Sequence, residues 1–215
     1  HGQNRLACLH LNHAGAAANP MLIGGNPKAP GEIECLARGG VARALNREEI
    51  AAIVEGYESA ARKACEAGFD LVEIQAGHGY LVSQFLNGRI NKRDDEYGRD
   101  RTLFAQEVFA AVRSGAPDTP FAVRISGSEM SPEFGIEKSD LIPLLELAEN
   151  RNAVAVHVGM GNACFSPPWY FHHGSLPEMS QMDALGWVRE QSPVPLIAAG
   201  RLGRIDRIER MLSRN

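Results

Sequence analysis

The chain has 215 residues, of which 44% are hydrophobic and 22% are charged, and its formal net charge is −4. This composition is typical of a globular domain with enough apolar material for a sizeable core. A mildly acidic chain has no general attraction for nucleic acid or for an anionic membrane, so we predict neither partner. No segment approaches the length of uninterrupted apolar sequence that a membrane-spanning helix needs.

Short apolar runs alternate along the chain with longer segments of helical periodicity. Because each run is too apolar to leave one face in water, we predict parallel strands that are buried on both faces. The predicted strands are 5–11, 69–74, 121–126, 153–158 and 194–199. The predicted helices are 47–68, 101–115, 138–150, 182–191 and 204–215. This alternation predicts an α/β fold with a parallel sheet, either open or closed into a barrel.

Two segments fall outside this alternation. Residues 16–46 are rich in Gly, Ala and Pro and show little periodicity, and a long excursion of this kind in a compact domain is often functional. Residues 87–101 are densely charged with both signs, so we predict a solvated loop with ion pairs and no chemistry of its own.

The four cysteines lie far apart and form no C-x-x-C pair. They are Cys8, Cys35, Cys65 and Cys164. This spacing argues against a zinc or iron–sulfur site within the chain. Scattered single cysteines are typical of reduced residues in a cytoplasmic protein, so we predict free thiols and a cytoplasmic location.

Polar residues collect at the carboxyl ends of the predicted strands, which is the edge where parallel α/β folds bind ligands. The residues are His10, Asn12 and His13 at the first strand, Gln75, His78 and Tyr80 after the second, Arg124 within the third, and Gly200 and Arg201 after the fifth. Gln75, His78 and Tyr80 belong to "VEIQAGHGYLVSQFL" (72–86), which begins as a buried strand and closes as a helix. The sequence therefore predicts a ligand site at this edge.

Two features of that edge favour an anionic or carbonyl-rich ligand. Arg124 lies in an otherwise apolar strand with no acidic neighbour, and a buried guanidinium needs a partner that a bound cofactor would supply. Gly200, Arg201 and Gly203 precede the last predicted helix, where free backbone N–H groups can bind a phosphate.

Four segments of the chain resemble the old yellow enzyme family. They are "LNHAG" (11–15), "AGFDLVEIQAGHGYLVSQFLNGRINKRDDEYGRDR" (67–101), "VRIS" (123–126) and "PLIAAGRLG" (195–203). The members are FMN-dependent ene-reductases built on a (β/α)8 TIM barrel. The most similar branch contains 2,4-dienoyl-CoA reductase, 2-enoate reductase and trimethylamine dehydrogenase. The resemblance therefore implies FMN as cofactor and NAD(P)H as reductant.

The resemblance also implies roles for individual residues. Arg124 matches the arginine beside the flavin N1/C2 carbonyl side, where a permanent cation stabilises reduced flavin. His78 matches the residue that hydrogen-bonds the electron-withdrawing group of the substrate. Tyr80 matches the proton donor of many members.

Several positions depart from the family pattern. His10 stands where a Gln usually contacts the flavin pyrimidine, and Ala16 stands where an Arg is typical. Gln75 replaces a common His or Tyr, so the pair that anchors the substrate is Gln75 with His78. The dienoyl-CoA reductase branch has a histidine at the position of Ala163. His172 and His173 are candidates to replace it, or they belong to a lid formed by 159–177.

The implied reaction is ping-pong transfer of hydride from NAD(P)H through FMN to an activated alkene, with enoyl- and dienoyl-CoA esters among the candidate acceptors. His78 with Gln75 polarises the acceptor carbonyl, and Tyr80 protonates the α-carbon. A homo-oligomer is left open. Two alternatives are a metal-dependent barrel hydrolase or lyase using His10, His13, His78 and His157, and a truncated or degenerate family member that acts as a non-catalytic subunit.

The strand count predicts that residues 1–215 are a partial FMN-binding TIM-barrel domain. A (β/α)8 barrel has eight strands, and the resemblance places the five predicted ones as strands three to seven. We therefore expect the chain to be part of a longer protein.

Overall fold

A computed structural model of the chain describes residues 5–37, 40–165, 179–200 and 202–213. Strands and helices alternate along most of it. The strands are β1 (Cys8–Leu11), β2 (Lys28–Ala29), β3 (Ile33–Cys35), β4 (Gly40–Ala44), β5 (Leu71–Gln75), β6 (Phe121–Ser126), β7 (Ala155–Gly159) and β8 (Leu196–Ala198). The helices are α1 (Pro20–Ile23), α2 (Arg47–Glu66), α3 (Leu81–Leu86), α4 (Glu96–Arg99), α5 (Leu103–Gly115), α6 (Lys138–Asn150), α7 (Met179–Gln191) and α8 (Ile205–Leu212).

The main sheet is parallel and has the strand order β1-β5-β6-β7-β8. All five predicted strands are confirmed as its members, with ends that differ by a few residues. The predicted helices over 47–68, 101–115, 138–150, 182–191 and 204–215 correspond to α2, α5, α6, α7 and α8. Each crossover between neighbouring strands carries a helix, as parallel strands require.

One face of the main sheet is apolar and forms the core with the helices. Val72, Ile74, Val123 and Ile125 are fully buried there and belong to the same cluster as side chains of α2, α5 and α6. Successive side chains of a strand point to opposite faces, so the residues between them lie on the other face. That second face carries the polar residues described below.

The segment 16–46 contains a small sheet that its sequence did not reveal. β2 runs parallel to β4, and β3 runs antiparallel to it. The three strands have only two to five residues each, which is too short for a pattern of alternation to be recognised. Ala29, Ile33 and Ala42 are buried in a second apolar cluster beneath this sheet.

The prediction of four reduced cysteines is wrong for two of them. Cys35 in β3 and Cys164 after β7 form a disulfide across a sequence separation of 129 residues. Spacing gave no sign of the pair because the fold alone brings β3 to the end of β7. Cys8 and Cys65 are free and exposed.

The charged segment 87–101 has ion pairs, as predicted, but the pair at its centre is largely shielded from solvent. Arg93 pairs with Asp95 and also donates to the backbone oxygens of Pro30 and Leu45. The Arg93 and Asp95 side chains are only 12% and 17% exposed. This half-buried pair ties the segment to the small sheet, and α4 begins directly after it.

Within the described ranges, no helix combines the length and apolar character needed to traverse a lipid bilayer.

Candidate active site

The polar face of the main sheet brings together residues from four neighbouring strands. Gln75 of β5 is in register with Arg124 of β6, and Arg124 is in register with His157 of β7. His10 of β1 is in register with Glu73 of β5. These five residues alternate with the apolar core residues of the same strands, so they share the face opposite the helices.

The turn between β5 and α3 has a backbone that only small or tolerant residues can adopt. His78 and Gly79 both have left-handed conformations, with φ of 58° and 67°. A Cβ on Gly77 would lie 2.5 Å from the backbone N of Ser126, so no larger residue fits there. The small residues around His78 therefore allow this turn to lie directly against the end of β6.

The amide of Gln75 sets the tautomer of His78. Its Oε1 accepts a hydrogen bond of 3.0 Å from the backbone N–H of Gly77, so its Nε2 faces Nδ1 of His78 at 3.1 Å. Because Nε2 of Gln75 can only donate, Nδ1 of His78 must accept. In a neutral imidazole the other ring nitrogen then carries the proton, so His78 presents an Nε2–H donor.

His78 is neutral at pH 7. Burial, together with the nearby positive charge of Arg124, lowers the pKa of His78 to about 4. His10 and His157 lower the pKa further, and Glu73 opposes them. Space beside the ring is provided by Gly159, where a Cβ would come within 3.0 Å of Nε2.

Tyr80 lies next to His78 at the start of α3, where it is the N-cap residue. The two ring centroids are 6.4 Å apart in an edge-to-face arrangement. The half-buried Tyr80 ring packs against the apolar cluster that contains the Cys35–Cys164 pair. The turn thus places an imidazole donor and a phenol on the same edge of the sheet.

Arg124 retains the unmet hydrogen-bonding capacity that its sequence position predicted. Its Nε is buried and has no hydrogen-bond partner in the part of the chain that the structure describes. A buried N–H without an acceptor is costly, and the carbonyl oxygens of a flavin would supply one. The donor set at this edge therefore fits the FMN that the sequence implies.

His10 and His157 are joined through Glu73. Nδ1 of His10 lies 2.7 Å from Oε1 of Glu73, and Nδ1 of His157 lies 2.6 Å from Oε2. Burial raises the pKa of Glu73, but the hydrogen bonds from the two histidines outweigh burial and lower it to about 2. Glu73 is therefore a carboxylate at pH 7, and Nε2 is the ring nitrogen that each histidine leaves for a ligand.

Sequence reasoning missed Glu73 altogether and considered His157 only as a metal ligand. The signal was the same as for Arg124, because Glu73 is a charged residue within an apolar run. The chain has seven histidines, and the sequence gave no way to tell which of them Glu73 would contact.

The structure describes only some of the remaining predicted residues. Gly200 lies two residues beyond β8 with φ of 103°, a conformation that favours glycine. Ala163 follows β7, and its backbone N–H donates to the oxygen of His78 at 2.8 Å. Arg201, His172, His173 and the predicted lid from 166 onward lie outside the described residues.

The metal-site alternative gains no support from the histidines. Within the described ranges, no three His, Cys, Asp or Glu side chains come together as a metal site.

A parallel α/β sheet with donors, a cation and glycine turns at the carboxyl ends of its strands defines the class of α/β proteins, open or closed into a barrel, that bind ligands at that edge. The chain belongs to the NADH:flavin oxidoreductase / NADH oxidase family, whose family model matches residues 1–215. This confirms the resemblance found in the sequence.

Individual relatives agree with this family. The chain is 31% identical over 211 residues to an NADPH dehydrogenase of Clostridium acetobutylicum, covering 96% of this chain and 60% of that protein. It is 32% identical over 213 residues to a metal reductase of Desulforamulus reducens, covering 94% of this chain and 30% of that protein. The solved structure of the old yellow enzyme homologue from Zymomonas mobilis matches with a TM-score of 0.78 at 24% identity, covering 97% of this chain and 60% of that one.

These shares mean that the chain spans about 60% of the length of the Clostridium relative and less of the Desulforamulus one. The structural match supports the fold, and the main sheet corresponds to part of the (β/α)8 barrel that the sequence predicted.

Proposed function

We propose that this chain is a partial barrel domain of an FMN-dependent NAD(P)H oxidoreductase that passes hydride to an activated alkene. The observation that carries the proposal is the turn after β5. It holds a neutral His78 with an Nε2–H donor beside Tyr80, on the edge where Nε of Arg124 lacks a partner among the described residues. A donor, an acid and a permanent cation are the groups that hydride transfer to a polarised double bond needs.

The chemistry that a bound FMN would supply is hydride transfer between the nicotinamide and the alkene. Arg124 would bind the pyrimidine side of the flavin, where its cationic guanidinium would balance the negative charge that develops on reduction. His10 would contribute Nε2 to the same side, with Nδ1 held by Glu73. Gly200 and Arg201 would bind the phosphate of FMN.

His78 binds the electron-withdrawing group of the acceptor through Nε2–H. Because its pKa is lowered to about 4, the imidazole donates this hydrogen bond without carrying a charge of its own. Gln75 acts with His78, since its amide fixes the tautomer that carries the proton on Nε2. Tyr80 then supplies a proton to the α-carbon.

The acceptor we propose is an alkene conjugated to a carbonyl group. NADPH dehydrogenase and metal reductase, the names of two relatives, describe the reductant of one and an acceptor of the other. Enoyl- and dienoyl-CoA esters remain candidates alongside simple enones. The cytoplasmic location stays a prediction, and a structural disulfide is uncommon in that compartment.

The test separates the two half-reactions by stopped flow in the complete protein. Tyr80→Phe should slow re-oxidation by an enone on the order of a hundredfold and leave reduction by NAD(P)H within about twofold, because it removes only the proton donor. Arg124→Met should impair reduction of the flavin itself. Tyr97→Phe is the matched control, since that hydroxyl bonds Glu107 on α5 away from the site.

Three outcomes would contradict parts of the proposal. A complete wild-type protein that binds no FMN would favour the non-catalytic alternative. A Tyr80→Phe protein slow in the reductive half-reaction would show that the role of Tyr80 is wrong. Near-normal flavin reduction in Arg124→Met would remove Arg124 from the cofactor site.

A further inference from the structure

Glu129 is a buried carboxylate that the proposed reaction does not use. It lies in the segment between β6 and α6 and is 2% exposed. Its Oε1 accepts hydrogen bonds from the backbone N–H of Gly79 at 2.9 Å and from Oγ of Ser83 at 2.7 Å. Its Oε2 accepts from Nδ2 of Asn162 at 2.8 Å and from the backbone N–H of Ile136 at 2.9 Å. Glu129 thus links the segments that follow β5, β6 and β7.

Ser126 and Ala163 hold the same turn from the other side. Oγ of Ser126 accepts from the backbone N–H of His78 at 2.9 Å and donates to the oxygen of Gly161 at 3.0 Å. The backbone N–H of Ala163 donates to the oxygen of His78 at 2.8 Å. Both backbone polar groups of His78 are therefore bonded to neighbouring segments.

This arrangement explains how His78 keeps an unfavourable backbone conformation. A left-handed non-glycine residue costs on the order of 1 kcal/mol and persists only where surrounding contacts impose it. His78 and Gly79 are both left-handed, and a Cβ on Gly79 would lie 2.2 Å from Nδ2 of Asn162. Asn162 therefore packs directly on Gly79 and is held in place by Glu129.

We propose that Glu129 is a positioning residue for the alkene half-reaction, acting through the N–H of Gly79 and through Asn162 on His78 and Tyr80. The expected effect of Glu129 on the kinetics of the alkene half-reaction rests on the proposed function. The expected effect of Glu129 on the His78 ring does not rest on it, because the tautomer and mobility of that ring depend on the turn whether or not FMN binds.

The experiment exchanges the carboxylate and the amide between Glu129 and Asn162. Glu129→Gln replaces an acceptor oxygen with an NH2 group that faces donors whichever way the amide is turned. Asn162→Asp alone places two carboxylates against each other. In the double variant, the amide introduced at position 129 keeps its oxygen toward Gly79 and Ser83. Its NH2 group donates to the carboxylate introduced at position 162, which restores each of the bonds to position 129 described above except that of Ile136. The control is Glu133→Gln, an exposed glutamate in the same segment.

We expect each single variant to slow re-oxidation by alkene and to raise KM for the alkene, on the order of tenfold to a hundredfold, as small misplacements of a catalytic group do. Reduction by NAD(P)H and FMN content should stay within about twofold. ¹⁵N NMR of His78 should show the Nε2–H tautomer in wild type, a mixture or exchange broadening in the single variants, and recovery in the double variant. Glu133→Gln should match wild type throughout.

Two results would overturn the inference. One is an unchanged His78 spectrum in Glu129→Gln. The other is an equal loss in both half-reactions together with lower thermal stability and no recovery in the double variant, which would make Glu129 structural only. A wild-type protein that shows the His78 tautomer but reduces no alkene would count against the proposed function, and the NMR series would still decide the positioning role.

Discussion

At the scale of single residues, the titration of His78 makes the stability of the fold depend on pH. Burial and Arg124 lower its folded-state pKa to about 4, whereas an unfolded histidine titrates near 6.5. The unfolded chain therefore takes up a proton first as the pH falls. Stability that is present above pH ~6.5 is lost progressively toward pH ~4.

We predict that His78→Asn removes this part of the acid sensitivity. Asparagine tolerates a left-handed backbone and does not titrate, so the turn can form without a buried ionisable ring. The unfolding free energy of the variant should change less than that of wild type between pH ~6.5 and ~4.5. Urea denaturation at several pH values measures this, and parallel curves for the two proteins would contradict it.

Glu73 is predicted to stabilise the sheet through its two histidines. Glu73→Gln leaves one acceptor oxygen for two imidazole N–H groups, so one bond to a charged acceptor is lost, at about 1.5–3 kcal/mol at pH 7. The folded-state pKa of Glu73 is about 2, below that of an unfolded glutamate. The difference between wild type and variant should therefore shrink as the pH falls below ~4.5.

Two histidine variants provide the control for that measurement. His157→Asn keeps a donor at the position of Nδ1, so it should retain the bond to Glu73, whereas His157→Gln mimics Nε2 and should lose it. Equal stability of these two variants would show that the contact with Glu73 contributes nothing.

At the scale of elements, the strands and long helices could be predicted because each is a long run with its own period. α6 was predicted with the same bounds that the structure shows, Lys138–Asn150. The small sheet and the disulfide could not be predicted, because strands of two to five residues are too short to show a period and pairing across the fold has no local signal.

The candidate site likewise has one part that was evident from the sequence and one part that was not. Gln75, His78 and Tyr80 share one turn, so their neighbourhood was evident from sequence. The bond of Glu73 to His157 depends on two strands on either side of β6. The roles of Glu129 and Asn162 depend on three segments meeting at one carboxylate. Only the assembled sheet defines such contacts.

Helix α2 begins with a capping box that should be measurable. The Asn46 side chain accepts from the N–H of Glu49, and the Glu49 side chain accepts from the N–H of Asn46. Asn46→Ala should lower the unfolding free energy by about 1 kcal/mol, measured by denaturant titration. Asn19→Ala is the control, because Asn19 caps the exposed four-residue helix α1 and should have little effect. Equal losses in both variants would contradict this assignment.

At the scale of the whole molecule, the main sheet and the last helices leave apolar surface uncovered. In the described part of the chain, β1 and β8 each pair on one side only. A groove of about 930 Å³ lies between α7, β8 and α8 and is lined largely by apolar side chains. Ile205 and Leu212 of α8 are 74% and 68% exposed. Unpaired strand edges and apolar patches of this kind favour association.

We therefore predict that the 215-residue chain, produced by itself, associates or precipitates and binds FMN weakly or not at all. Size-exclusion chromatography with light scattering and a visible absorption spectrum measure both properties. A monodisperse yellow protein of 23.3 kDa would contradict the prediction.

The Cys35–Cys164 bond closes a covalent ring around the chain from β3 to the end of β7. β5 and β6, with the turn of His78 and the whole of 87–101, lie on that ring. A protease that cuts once inside the ring leaves two pieces that stay joined until a reductant separates them. A cut after Cys164 instead releases its fragment with or without reductant. Gel mobility after limited digestion therefore reports the redox state of this pair in any compartment from which the protein is recovered.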